Sequence, residues 1–250
     1  MSWDEKVVLV AGVGGGLGTA VVSALAASGA AVVAVARSRP ALEALESAAR
    51  GRGWRLRVKT ADLVAPGPVE AVVAEALSEF GRLDAACVTA GRWAGPEPLL
   101  HETSDAQWTG LLRDNLDPIY RVGRAVLPAM VRQREGALVL VGASEPIRRT
   151  GSAAYAAAKA GIAELARKLA SDYRPFGIRV NAVLPGSMGH DAPYDPPTTA
   201  GVRPRNATPN APWEVARAIR YLLSDEGRWV TGAALVVDGG SATQGTEPAE

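Results

Sequence analysis

The chain has 250 residues, 48% of them apolar and 21% charged, a balance that suits one globular domain and excludes a largely disordered or collagen-like chain. Its 27 basic and 26 acidic side chains leave a formal net charge of +1, with no basic block to mark a binder of nucleic-acid phosphates. One cysteine, Cys87, excludes an intrachain disulfide and a cysteine cluster for zinc, and the two histidines, His101 and His190, stand too far apart in sequence to suggest a histidine-rich metal site. The first six residues lack the basic-then-apolar order of a signal peptide. Residues 6–10 read as a buried strand and 18–28 as a helix. Strand 31–36 and helix 40–50 follow, then strand 54–60 and helix 68–80. Residues 20–36 are uncharged, but Ser28-Gly29 breaks them into helix, turn and strand rather than a membrane span, so a cytoplasmic protein is expected. Strand 83–89 leads to a long helical region at 104–134, and strand 137–141 to a helix at 151–173. Strand 178–184, helix 212–224 and strand 233–237 complete the series. Continuously apolar strands alternating with helices predict an α/β fold. It is a single doubly wound, Rossmann-like domain over 1–250, its seven-stranded parallel sheet covered by helices on both faces. Segment 187–211 carries Pro193, Pro196, Pro197, Pro204 and Pro209 and is expected to be an irregular substrate-loop insertion, with 241–250 a frayed polar tail.

After the first strand comes Ala11-Gly12-Val13-Gly14-Gly15-Gly16-Leu17-Gly18, then a helix. Glycine lets the backbone approach a ligand closely, and the helix N-terminus offers unpaired N–H groups at its positive end. Between the strand and helix of a first βαβ unit, this suits a dinucleotide pyrophosphate; the plainer alternative is a tight turn with close helix–strand packing. Tyr155 and Lys159 stand four apart on one predicted helix and share a face. A phenol of pKa about 10 is a poor acid or base at neutrality, and a neighbouring ammonium lowers that value. The pair therefore suits proton transfer to and from a carbonyl/alcohol couple. An NAD-selective site places a carboxylate at the end of the second strand. No Asp or Glu occurs here between Gly29 and Glu43. Arg37 and Ser38, with Arg39 close behind, offer donors to a ribose 2′-phosphate instead, so NADP(H) is the expected cofactor. Segment 145–151 lines the edge of the site, where Arg148 and Arg149 could hold an anionic substrate, but it reads rather as a solvated loop.

The spacing Gly12, Gly16, Gly18 resembles the G-x-x-x-G-x-G turn of the short-chain dehydrogenase/reductase family. Asp62-Leu63, Ala90-Gly91, Tyr155-Ala156-Ala157-Ala158-Lys159, the run from Ile178 to Pro185-Gly186, and Val237-Asp238-Gly239-Gly240 resemble its further landmarks, in order, over residues 6–240. The resemblance implies a ketone reductase or alcohol dehydrogenase with Tyr155 as general acid/base. In that pattern Lys159 also bonds the nicotinamide ribose, and Asn115 holds a water in a proton relay. Gly12, Gly14, Gly15, Gly16, Leu17 and Gly18 would cradle the pyrophosphate, and Asp62 and Leu63 would lie near the adenine. Ala90, Gly91, Pro185, Gly186, Ser187 and Met188 would complete the cofactor site. Gly15 stands where many NADP-binding relatives carry a basic residue, which leaves Arg37 the main phosphate contact. The family's serine, at its usual offset from the tyrosine, falls on Gly142. Counted from the strand end it falls on Ala143 or Ser144. Ser144 is the candidate taken, with loss of the serine, or Ser152, as alternatives. Ala11 and Val88-Thr89 replace the family's Thr and Asn-Asn, so Thr89 must hold that turn. Trp93, Pro146, Ile147, Met188 and Tyr194 are expected to wall a pocket for an apolar or aromatic ketone. The resemblance also implies a homotetramer, or failing that a dimer, assembled through the helices of Asn115 and Tyr155. Two other readings keep the cofactor: epimerase, dehydratase or cyclase chemistry, and a non-catalytic NADPH-binding protein.

Overall fold

A parallel strand in the middle of a sheet has helices above and below it, so its side chains must be apolar in both directions. β1 (Val7–Ala11) meets that demand: all of its residues are buried. In the computed structural model, which describes residues 2–94, 99–189, 192–195 and 212–241, β1 is the third strand of a seven-stranded parallel sheet. The others are β2 (Ala31–Ala36), β3 (Leu56–Thr60), β4 (Ala85–Val88), β5 (Gly136–Val141), β6 (Ile178–Pro185) and β7 (Ala234–Val237), in the order β3-β2-β1-β4-β5-β6-β7. Val8 and Val10 point into the layer made by α1 (Gly16–Ala27), α2 (Arg39–Arg52) and α7 (Pro212–Leu223). Val7, Leu9 and Ala11 point into the opposite layer, made by α3 (Pro68–Phe80), α4 (Asp105–Gln133) and α6 (Ala153–Tyr173). The fold is thus the doubly wound α/β domain that the alternation of strands and helices implies. Cys87, on β4, is fully buried in the first of these layers, and burial pushes its thiol pKa up.

Most element ends lie within two residues of their expected places. The exception is 145–151, expected as a solvated loop. It forms the short helix α5 (Glu145–Thr150), started by extended backbone at Ser144 (φ −65°, ψ 161°) and by Pro146 in the first turn. The long α4 begins at a reciprocal cap, in which the Gln107 N–H donates to Ser104 Oγ at 3.3 Å and the Ser104 N–H to Gln107 Oε1 at 2.9 Å. Charged groups bind the amino-terminal edge of the sheet. The buried Lys6 ammonium meets Asp225 at 2.9 Å and Glu135 at 3.5 Å. Arg179 on β6 donates to the carbonyls of Leu222 (2.6 Å), Ser224 (3.1 Å), Gly227 (2.9 Å) and Val230 (3.3 Å). No helix among the described residues is long and apolar enough to cross a membrane. Of the expected insertion, 190–191 and 196–211 lie outside the described residues, as does the tail beyond Ser241.

The chain leaves β1 toward β2 on one side of the sheet and reaches β4 on the other. Loops after β1 and β4 therefore diverge, and a crevice opens at the carboxyl ends of the strands, where open α/β sheets bind their ligands.

Candidate active site

Two loops cross at the floor of that crevice. Gly12 has φ +110°, a left-handed conformation that disfavours a side chain, and a Cβ there would lie 2.3 Å from the Ala90 nitrogen. The Thr89 hydroxyl donates to the Gly12 carbonyl at 3.0 Å and lies 3.2 Å from that of Ala11, so it holds the turn as the sequence requires. Gly15 caps α1 without a side chain, which leaves the first N–H groups of that helix free of a side-chain cap. Gly14 faces open space, whereas Gly16 and Leu17 are buried in the first turn of α1. A Cβ on Gly18 would sit 2.5 Å from the Gly12 carbonyl oxygen, so its lack of a side chain lets α1 pack closely behind the turn.

The crevice has a volume of about 610 Å³. Arg37 and Ser38 line one end and are exposed; Asp62 and Leu63 line it beside them. Arg39 is engaged by Glu43 at 2.9 Å, whereas Arg37 makes no ion pair among the described residues. Asp62 Oδ1 accepts the Val64 N–H at 3.1 Å, which fixes the loop after β3. Ala90 and Gly91 line the crevice where it turns toward the centre of the sheet. A glycine-floored groove and a helix N-terminus without a side-chain cap fit a nicotinamide dinucleotide in both shape and charge.

Gly91 joins this groove to a buried polar cluster, since a methyl on it would lie 2.8 Å from both Asn115 Oδ1 and Lys159 Nζ. Asn115 is fully buried; its Oδ1 accepts the Arg92 N–H at 3.2 Å and its Nδ2 donates to the carbonyls of Arg92 and Leu111, each at 3.0 Å. It thereby ties the loop after β4 to α4. Lys159 Nζ donates to the Val141 carbonyl at 3.3 Å and lies 5.9 Å from the centre of the Tyr155 ring. Burial pushes the Lys159 ammonium pKa down to about 8. Burial also pushes the Tyr155 phenol up to about 12, against an opposing pull from the Arg148 guanidinium. Trp93 sets its ring edge-on to Tyr155 with centroids 4.8 Å apart. Gly151 makes room for that pair, because a Cβ there would lie 2.6 Å from Tyr155 Cδ1 and 3.3 Å from the Trp93 ring.

The serine candidates divide. Ser152 is a helix cap: its Oγ accepts the Tyr155 N–H at 3.2 Å. Ser144 donates its N–H to the Pro185 carbonyl at 2.8 Å, while its hydroxyl is fully buried and has no hydrogen-bond partner. Gly186 donates its N–H to the Val237 carbonyl at 3.0 Å, Ser187 beyond it is exposed, and Met188 packs toward the α1 and α7 layer. Pro146 and Ile147 are half-buried on α5. Tyr194 is the misplaced wall residue. Arg52 at the end of α2 lies over its ring at 5.6 Å, lies over the Trp54 ring at 5.5 Å, and pairs with Asp195 at 2.5 Å. Trp213 Nε1 donates to the Pro193 carbonyl at 2.8 Å. Residues 192–195 are thus fastened to the outside of the α2 and α7 layer, and Tyr194 with them. Arg148 is the residue whose part the sequence understated. Its Nη1 donates to the Ala143 carbonyl at 2.6 Å from a half-buried position on α5, and Ser144-Glu145-Pro146, a helix-start pattern, was the signal for it.

A family model described as enoyl-(acyl carrier protein) reductase matches residues 12–242. The chain is 33% identical over 248 residues to 3-oxoacyl-[acyl-carrier-protein] reductase FabG of Escherichia coli, covering 96% of this chain and 98% of that one. It is 36% identical over 244 residues to cis-4-hydroxycyclohexanecarboxylate dehydrogenase of Sinomonas cyclohexanicum, covering 96% and 97%. Among solved structures, a short chain oxidoreductase from Pseudomonas aeruginosa PAO1, described as containing an atypical catalytic center, superposes with a TM-score of 0.86 at 27% identity, over 98% of this chain and 100% of that one. Matches of that extent, on the same sheet order and the same crevice, place this chain in the short-chain dehydrogenase/reductase family, whose oxidoreductases act on ketone/alcohol couples.

Proposed function

We propose that the protein is an NADPH-dependent reductase of ketones, able to run in reverse on secondary alcohols, with Tyr155 as its general acid/base. The observation that carries this reading is the meeting at Gly91: the glycine-floored groove ends against Lys159 and Asn115, and Lys159 lies under the Tyr155 ring. The bound dinucleotide supplies or accepts hydride at the substrate carbon. The protein's own groups handle the proton. The Tyr155 phenol, protonated at neutral pH, donates to the carbonyl oxygen as negative charge builds there, and the Lys159 ammonium stabilises the phenolate left behind. Asn115 keeps the loop after β4 in register with Lys159 through both of its Arg92 bonds. Trp93, edge-on to Tyr155, gives the substrate an apolar wall and favours apolar or aromatic ketones. The relatives named above, a 3-oxoacyl reductase and a hydroxycyclohexanecarboxylate dehydrogenase, work on the same functional-group couple. Arg37 and Ser38 at the end of β2 favour NADPH, because an open guanidinium offers a 2′-phosphate two hydrogen bonds and a countercharge.

The test is kinetic. Tyr155→Phe is expected to bind NADPH as the wild type does and to lower turnover by at least about a hundredfold. Full turnover by that variant would overturn the assignment. For the cofactor, Arg37→Ala should weaken NADPH by roughly thirtyfold, the equivalent of about 2 kcal/mol for a truncated charge pair, and leave NADH nearly unchanged. Equal losses for both cofactors would show that Arg37 does not read the phosphate.

A further inference from the structure

We propose that Arg148 is a catalytic residue whose guanidinium, rather than a serine hydroxyl, supplies the second hydrogen-bond donor to the substrate oxygen beside Tyr155. The proposal rests on the reading of Tyr155 as general acid/base and adds a residue to it.

Three observations converge. First, no reachable hydroxyl stands at the end of β5. Gly142 and Ala143 have none, and Ser144 is so fully enclosed that nothing the size of a water can touch its Oγ. A substrate oxygen cannot bond to an atom that water cannot reach. Second, α5 brings a cation to the place the serine leaves. Arg148 follows Ser144 by one helical turn, its N–H donating to the Ser144 carbonyl at 3.0 Å, and its Nη1 is fixed on the Ala143 carbonyl at 2.6 Å. One N–H group of the fork is used there. The remaining ones have no partner among the described residues and are available to an incoming oxygen. Third, Arg148, unlike its neighbours Arg149 and Arg92, makes no ion pair among the described residues. Arg149 is paired with Glu145 at 2.6 Å, and Arg92 with Asp114 at 2.9 Å. A half-buried guanidinium anchored at the end of β5, with its charge acting on the phenol, is what stabilises charge on an alkoxide. Its field on Tyr155 acts in the same direction, lowering a phenol pKa that burial raises.

In the reduction, the carbonyl carbon receives hydride, the π electron pair moves onto oxygen, and that oxygen takes the Tyr155 proton. The substrate gains the electron pair that the cofactor loses. Arg148 transfers nothing; it donates a hydrogen bond to the oxygen while the charge resides there. Other charged groups facing the phenol are few: Lys159 lies beneath it on α6, and Glu145 on α5 is engaged by Arg149.

The experiment compares Arg148→Ala, Arg148→Lys, Ser144→Ala and Tyr155→Phe, each loaded with NADPH. The probe is whichever of ethyl acetoacetate, cyclohexanone and acetophenone the wild type reduces fastest. Arg148→Ala should lose roughly a hundredfold in kcat, the scale for one lost oxyanion donor, at unchanged NADPH affinity. Added methylguanidinium should restore part of that loss. Arg148→Lys, which keeps the charge but not the fork, should fall between the two. In alcohol oxidation, where Tyr155 must be ionised, the rising limb of kcat/KM against pH should move to higher pH in Arg148→Ala. Ser144→Ala should lose far less than Arg148→Ala. Near wild-type kcat in Arg148→Ala, a larger loss in Ser144→Ala, or a loss that methylguanidinium does not restore and that leaves the pH limb in place would each overturn the proposal. An active Tyr155→Phe would instead overturn the reading beneath it; an inactive Tyr155→Phe beside a fully active Arg148→Ala would overturn this proposal alone.

Discussion

Lys159 holds an ammonium where water barely reaches it, and that has a thermodynamic signature. Its pKa is about 8 in the folded chain against an ordinary lysine value of 10.5. Between those values the unfolded chain binds more protons than the folded one, so stability rises as pH climbs from about 8 toward 10.5. Tyr155 reverses the trend above about 10, because its raised pKa leaves the folded chain holding the extra proton there. The buried Cys87 thiol, raised from its ordinary value of 9.0, offsets the Lys159 gain from about pH 9 upward, so these three groups together place the greatest stability of the cofactor-free protein between about pH 9 and 10. Lys159→Met, which replaces the charge by an apolar chain of similar length, should raise stability at pH 7 by roughly 3 kcal/mol. It should also flatten the rise between about pH 8 and 9 and abolish turnover. Urea unfolding at a series of pH values measures all but the last, and an unchanged slope in Lys159→Met would show that Lys159 is not its source. The sequence points to Tyr155 and Lys159 through their spacing taken together with the glycine turn and the later landmarks, not through the spacing alone, and to Thr89 by the polar residue the turn lacks elsewhere. It misplaces Tyr194, because what holds that ring is Asp195 meeting Arg52 across 143 residues, an encounter no local pattern carries.

At the level of elements, the strands are legible because burial on two faces leaves nearly unbroken apolar runs, as in β1, β2 and β5. Their ends are less so. β3 starts at Leu56 rather than 54 because Gly53, in a left-handed cap with φ +66°, must first turn the chain out of α2. The short α5 is hidden because its stability comes from contact with α6 and not from an apolar stripe of its own. The join between β6 and α7 depends on one side chain that the sequence does not single out. Arg179 gathers four carbonyls from the end of α7 and the turns after it, and burial pulls its pKa down without a carboxylate in direct contact. Arg179→Met leaves those acceptors unpaired, at about 1–3 kcal/mol for each one that water cannot reach. The expected result is a loss of at least about 3 kcal/mol in urea unfolding, with kcat near wild type at temperatures where the variant stays folded. A variant as stable as the wild type would show that water replaces the guanidinium there.

Across the whole molecule, the two edges of the sheet have different tasks. The carboxyl edge carries the crevice, Gly12 against Ala90, and the polar cluster at Gly91. The amino edge carries Lys6 with Asp225 and Glu135, Asp84 with the Val7 N–H at 2.8 Å, and the Arg179 staple. Changes at one edge should therefore be felt little at the other, and the single thiol between them offers a way to watch both. Cys87 lies midway along β4, wholly enclosed, with a pKa raised by burial. A disulfide reagent can reach it only when a helical layer lifts from the sheet, so the rate of its reaction is a clock for opening excursions of the native chain. If the clock reads global unfolding, the free energy from labelling should equal that from urea. Saturating NADPH should then slow labelling in proportion to 1 + [NADPH]/Kd. Labelling much faster than urea unfolding allows, and indifferent to NADPH, would reveal instead a private opening of the sheet beneath α1 and α7. Each molecule thus carries one internal timer, set into a strand whose carboxyl end borders its own ligand crevice.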